Sequence, residues 1–150
     1  MSDREEQRNN EENLFPPDVE ENLRKLFAPI TNEVQLEIFT EEGKNPEFTD
    51  FALNFSRALA RVSEHITVQE FPTNSARAAE LNIEAAPTIA IAPDRLNIRF
   101  LGAPAGEESR AYIEMLLLAG TNQSGLGKLS LQMLDGLTEP RSVKVFTSPT

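Results

Sequence analysis

Cysteine, histidine and paired carboxylates supply most nucleophiles, bases and metal ligands in proteins, and this sequence of 150 residues holds few of them. Cysteine is absent, which excludes disulfides, thiolate nucleophiles, Cys-ligated zinc and iron–sulfur clusters within the chain. His65 is the single histidine, with Glu64 beside it and no second imidazole. We interpret His65 as a solvated or hydrogen-bonded residue at an element boundary, and we expect no metal site.

Three short motifs resemble functional ones only superficially. Gly120 to Lys128 suggests a phosphate loop, but its spacing is wrong and Leu129 stands where a magnesium-binding Ser or Thr belongs. Asn122-Gln123-Ser124 matches a glycosylation sequon, which we interpret as part of a linker. We interpret Glu41-Glu42 and Glu107-Glu108 as solvated charge and helix-start charge, because a carboxylate dyad needs a shared pocket. We therefore expect no cofactor.

The overall charge argues against nucleic acid and membrane as partners. The chain carries 24 acidic and 14 basic residues, so its formal net charge is −10. Such a surface repels polyanions, and no cluster of Lys and Arg offsets that repulsion. The longest apolar stretch, Met115 to Ala119, is too short to span a bilayer. We expect a soluble, cytoplasmic protein.

Residues 1–13 differ in composition from the rest of the chain. They are almost entirely polar and strongly acidic, so they have little apolar surface to offset the entropy of ordering. They lack a basic segment followed by an apolar one, which distinguishes them from a signal peptide. We expect a disordered acidic leader.

From residue 14 onward the hydrophobic spacing predicts alternating helices and strands. The predicted order is a short helix, a strand, a long helix beginning at Asn45, a second strand, a short helix, a hairpin and a further helix. Alternation in the first strand predicts one buried and one solvated face, whereas the continuous apolar run from Pro87 to Ala92 predicts a central strand. A helix over 124–137 follows, and Val143, Val145 and Phe146 predict a last strand without a successor.

This order resembles the thioredoxin-like fold, an α/β arrangement βαβ–α–ββ–α, here with an N-terminal helix, a C-terminal linker helix and an orphan final strand. Ala85-Ala86-Pro87-Thr88 stands where thioredoxin-like folds have a cis proline before the third strand. The loop Leu101-Gly102-Ala103-Pro104-Ala105-Gly106-Glu107 is similar to one in the first unit of tandem thioredoxin-fold proteins. These are the glutaredoxin-like protein disulfide oxidoreductases and the N-terminal region of the alkyl hydroperoxide reductase flavoprotein.

The resemblance also implies where a redox site would lie. The thiols of this family sit at the N-terminus of the long helix, at positions that match Asn45 and Phe48. Neither residue can form a disulfide, so we interpret Asn45 as the helix cap and Phe48 as the first residue of the buried stripe. The resemblance further implies a cis Ala86–Pro87 bond and, at Ala86, Pro87 and Thr88, a backbone edge that docks an extended peptide.

We therefore divide the chain into a leader (1–13), a thioredoxin-like domain (14–121), a linker helix (122–140) and the start of a second, truncated thioredoxin-like unit (141–150). Val143 to Thr150 resembles the strand that runs into Cys-x-x-Cys in the family's second unit. The hypothesis is a redox-inert first unit that scaffolds and docks an active second unit or a redox partner protein. The alternative is a stand-alone, non-catalytic module that binds a protein or peptide.

Overall fold

The computed structural model describes residues 14–147, so the predicted leader and the last three residues lie outside the described part of the chain. The elements in chain order are α1 (Pro17–Phe27), β1 (Val34–Thr40), α2 (Pro46–Val62), β2 (Ile66–Pro72), α3 (Ala76–Glu80), β3 (Thr88–Ile91), β4 (Ile98–Leu101), α4 (Glu108–Thr121) and α5 (Lys128–Asp135). This is the predicted order of helices and strands up to the linker helix.

The four strands form one mixed sheet in the order β2-β1-β3-β4. β1 is parallel to β2, as expected for two strands joined by a helical crossover, and β3 is antiparallel to both β1 and β4. All four residues of β3 are buried, which confirms the prediction of a central strand. The sheet and helices together confirm the α/β thioredoxin-like fold.

One face of the sheet carries the main hydrophobic core. Even-numbered residues of β1, such as Leu36 and Ile38, point into it and meet side chains from α1, α2 and α4. Tyr112 of α4 is fully buried there, and its hydroxyl lies 3.0 Å from the Ser56 hydroxyl of α2. This buried pair joins the two long helices, because one hydroxyl donates to the other and neither is left without a partner.

The opposite face is covered mainly by the short helix α3, and it contains a buried charge. Glu37 of β1 is only 1% exposed, so the expectation that this strand has a solvated face is wrong. Arg77 of α3 donates to both carboxylate oxygens of Glu37, at 2.7 and 2.8 Å, and also to Asp94 and Glu80. Hydrogen bonds to these three carboxylates raise the pKa of Arg77 further above its ordinary value. The alternating pattern predicted that Glu37 faces solvent. Its carboxylate is instead buried and paired with the Arg77 guanidinium.

Two differences from the sequence-based expectations lie beyond α4. The helix expected over 124–137 spans only Lys128–Asp135, and its N-cap Gly127 makes no side-chain cap. Residues 141–147 are not in a strand, although Val143 and Val145 have the expected alternation. A strand needs a partner for its backbone N–H and C=O groups, and this segment has none beside it in the part of the chain described here. No helix between residues 14 and 147 is long and apolar enough to span a membrane.

Removing Arg77 should strongly destabilise the fold. Arg77→Met would leave the Glu37 carboxylate buried without its cation, and we expect a loss of about 3–5 kcal/mol in the free energy of unfolding. Arg57→Met is the matched control, since it removes the partner of Glu70, which is 42% exposed, and should cost less than about 1 kcal/mol. Urea unfolding measures both, and similar losses in the two variants would contradict the role given to Arg77.

Tyr112 should ionise only when the protein unfolds. Burial raises the pKa of Tyr112 above its ordinary value, and the hydrogen bond with Ser56 only partly offsets this. Above pH about 10 the unfolded chain loses the phenol proton while the folded chain keeps it, so stability falls by about 1.4 kcal/mol per pH unit. Tyr112 is the only tyrosine and the chain has no tryptophan, so tyrosinate absorbance reports this group alone.

The comparison for this pH dependence is Tyr112→Phe, which keeps the ring and removes the ionisable proton. Above pH about 10, the unfolding free energy of this variant should fall less steeply with pH than that of the unsubstituted protein, because the ionisation of Tyr112 no longer contributes. Ionisation of Tyr112 near pH 10 in protein that is still folded would contradict the burial of its hydroxyl.

Candidate functional site

The predicted site lies where β1 passes into α2. β1 ends at Thr40, residues 41–45 form a loop, and α2 begins at Pro46. The loop is closed by a turn in which the Lys44 N–H donates to the Glu41 carbonyl at 3.1 Å. The first helical hydrogen bond runs from the Thr49 N–H to the Asn45 carbonyl, and proline fits the first helical position because its missing N–H is not needed there. Asn45 is thus the N-cap residue by position.

The side chain of Asn45 does not cap the helix. Its backbone is left-handed, with φ 45° and ψ 52°, whereas a capping residue normally has an extended backbone. Its Nδ2 instead donates to the carbonyl oxygen of Ala86 at 3.0 Å, across a sequence separation of 41 residues. The expectation of a side-chain cap is therefore wrong. The structure instead brings Asn45 into contact with the loop before β3, residues 85–88, which we call the proline loop.

Phe48 does not begin the buried stripe of α2. It is 51% exposed, and burial along the helix starts at Ala52. The first turn lies beyond the end of β1 at Thr40, so it has little of the sheet to pack against. Helical spacing alone predicts which face is apolar but not where the sheet ends, and this accounts for the error.

The loop before β3 is closed by hydrogen bonds within the chain. The Ala86–Pro87 bond is cis, which confirms the prediction made from the resemblance. Three successive carbonyls each receive a donor: Ala85 from the Thr88 hydroxyl at 2.7 Å, Ala86 from Asn45 at 3.0 Å, and Pro87 from the Gly102 N–H at 2.8 Å. Ala86, Pro87 and Thr88 are all buried.

The assembled site has no thiol, because the chain holds no cysteine. The Asn45 amide donates and accepts hydrogen bonds but forms no disulfide, and the Phe48 ring forms none either. Within residues 14–147, no three His, Asp or Glu side chains could together hold a metal ion. His65 lies just before β2, half-buried, with its backbone carbonyl accepting from the Val34 N–H at 2.8 Å.

An open concavity of about 630 Å³ lies beside the site and was not expected from the sequence. Its lining includes Glu41, Glu42, Asp50 and Glu70, with Lys44 as the basic residue. Glu41 pairs with Lys44 at 2.9 Å, and Glu70 accepts from Thr40 and Arg57. These are the exposed ends of solvated side chains, in keeping with the interpretation of Glu41 and Glu42 as solvated charge.

The fold is similar to that of several solved redox proteins, although no family model and no curated protein matches this chain. A protein disulfide oxidoreductase from Aeropyrum pernix k1 superposes with a TM-score of 0.69 over 81% of this chain, at 24% sequence identity. The alkylhydroperoxide reductase AhpF from Enterococcus faecalis (V583), and its separately solved NTD_N/C domain, each give a TM-score of 0.63 over 79% of this chain at 25% identity.

The match covers most of this chain but only part of each solved chain. The chain spans 55% of the solved oxidoreductase chain and 58% of the two AhpF chains, so each continues well beyond the matched part. This chain thus resembles part of a protein disulfide oxidoreductase and part of the N-terminal domain of AhpF. It holds no cysteine itself.

Proposed function

We propose that this chain is the redox-inert first unit of a tandem thioredoxin-fold thiol–disulfide oxidoreductase, and that it scaffolds and docks a second unit that holds the thiols. The observation that carries the proposal is the site at the start of α2. It keeps the thioredoxin-like frame and the cis proline, but Asn45 is bonded to Ala86 where the family has a thiol. A supporting unit needs the fold but no redox-active thiols of its own.

An exposed apolar surface near the C-terminal end supports the presence of a docked partner. We call it the C-terminal apolar surface; its members are Leu129 and Met133 of α5 and Val143, Val145 and Phe146 of the following segment. Their exposures are 71%, 71%, 84%, 82% and 91%, and no residue of α5 is buried. A helix of eight residues is marginal in water without packing, so α5 needs a covering partner.

The course of the last described segment fits the same proposal. The Thr147 hydroxyl donates to Glu108, so the segment ends beside the start of α4. The loop before α4 includes Gly102, which bonds Pro87, so the start of α4 and the proline loop belong to one end of the domain. If residues 143–145 paired with a strand of a second sheet, the side chains of Val143 and Val145 would be buried and the backbone N–H and C=O groups would gain hydrogen-bond partners.

The alternative function, a stand-alone peptide-binding module, receives less support. Strand addition at the proline loop uses backbone acceptors, and the carbonyls of Ala85, Ala86 and Pro87 each already accept one hydrogen bond within the domain. Among the described residues, the most exposed large apolar side chains are Val143, Val145 and Phe146 of the segment after α5, although Leu101 beside the proline loop is also 68% exposed.

The coding sequence past Thr150 tests the proposal. We expect Cys-x-x-Cys directly after Thr150, disulfide reductase activity in the longer product, and no such activity in residues 1–150, which hold no thiol. Replacing both cysteines of the expected motif by serine should abolish that activity. A stop codon after Thr150, or a longer product without thiols, would contradict the proposal.

Paired variants of the longer product test the docking role separately. Leu129→Ser with Met133→Ser should lower its unfolding free energy by about 2 kcal/mol, because two side chains lose their buried apolar surface. The control is the same pair of substitutions in residues 1–150, where Leu129 and Met133 are each 71% exposed and should contribute little. Equal losses in residues 1–150 and in the longer product would argue against docking at α5.

A further inference from the structure

The last turn of α4 is held in the domain by donors from three other segments. The final carbonyls of a helix have no partner within the helix, and here those of residues 118–120 each accept a hydrogen bond from outside it. The Leu118 carbonyl accepts from the Gln123 N–H at 3.0 Å. The Gly120 carbonyl accepts from Asn32, both from its backbone N–H and from its side-chain amide, each at 3.0 Å.

Arg95 of the β3–β4 connection supplies the third donor and reaches two further acceptors. Its Nη2 donates to the Ala119 carbonyl at 2.9 Å and to the Glu33 carbonyl, just before β1, at 3.2 Å. Its Nη1 donates to the side-chain oxygen of Asn122, the first residue after α4, at 3.4 Å. A guanidinium can hold several acceptors because its donors form a fixed fork, and its charge suits the negative end of a helix.

The hold of the domain on the chain changes within residues 122–127, which we call the connector. All six connector residues are exposed, and Asn122 is the one that Arg95 bonds. In the described part of the chain, the hydrogen bonds of residues 124–127 stay within the connector and α5. The Leu126 N–H donates to the Ser124 hydroxyl at 3.2 Å, and the Gly127 carbonyl accepts from α5 at 3.1 Å.

Two glycines reduce the restraint on the second half of the connector. Gly125 has φ 71°, in the left-handed region, and a Cβ added at Gly127 would meet no atom within 4 Å. Glycine has the widest conformational freedom of any residue, so an exposed segment with two glycines is easily reoriented. α5 adds no restraint of its own, because none of its residues is buried.

We propose that residues 124–127 are a pivot about which α5 turns relative to the domain, and that Arg95 is the positioning residue that keeps this motion from reaching α4. The hydrogen bond from Thr147 to Glu108 has to open for such a turn, and a single exposed bond is a small barrier. That the pivot carries a second unit rests on the proposed function. The pivot and the role of Arg95 concern residues of this domain and its connector alone.

Backbone order parameters from ¹⁵N relaxation of residues 1–150 locate the pivot, because they report motion on the picosecond to nanosecond timescale. In the unsubstituted chain we expect values of about 0.85 up to Gln123 and below about 0.6 for residues 125–127. Arg95→Met should bring Asn122 and Gln123 below about 0.6 as well, while β1 and α2 keep their values. The measurement is independent of whatever follows Thr150.

Arg99→Met is the matched control, since Arg99 is also exposed but its guanidinium reaches the Asn82 carbonyl, at 3.5 Å, and not α4. Arg95→Lys keeps the charge without the fork and should lower the same two values by less. Unchanged values at Asn122 and Gln123 in both Arg95 variants, or an equal loss in Arg99→Met, would overturn the role of Arg95. Values for residues 125–127 as high as those of α4 would overturn the pivot.

Discussion

The ion pair between Glu37 and Arg77 is the interaction on which the face of the sheet covered by α3 depends. A carboxylate in the middle of β1 stays buried at a large cost unless a cation pairs with it, and among residues 14–147 Arg77 of α3 supplies that cation. The same guanidinium holds Asp94 in the β3–β4 connection, so one side chain joins a helix, β1 and a turn. The small apolar cluster of Phe39, Ala78 and Ala90 packs on this same face.

The position of α3 in turn places the loop that leads into β3. That loop carries Ala86 and Pro87 back to the start of α2, where Asn45 bonds the Ala86 carbonyl. The site is therefore the meeting point of two connections that the sheet and its helices hold in place. The side chains at this meeting point hold the two connections together, as the bond from Asn45 to the Ala86 carbonyl shows.

Much of the fold follows from local pattern. Helical spacing, proline at helix starts and the apolar run of β3 predict the order of elements, because local spacing determines which side of an element is buried. Contacts between distant residues are not predicted in this way. The Asn45–Ala86 bond joins residues 41 positions apart, and burial of Glu37 depends on Arg77, which lies on another element. Exposure of Phe48 depends on where the sheet ends, which periodicity does not report.

We propose that this domain supports a second unit through its C-terminal apolar surface. Hydrogen exchange of the backbone amides of α5 and residues 141–147, compared between residues 1–150 and a product that extends past Thr150, tests this proposal most directly. In the shorter chain these amides should exchange almost as fast as unfolded peptide, and in the longer product they should be strongly protected. Equally fast exchange in both, with the rest of the domain protected, would contradict the claim.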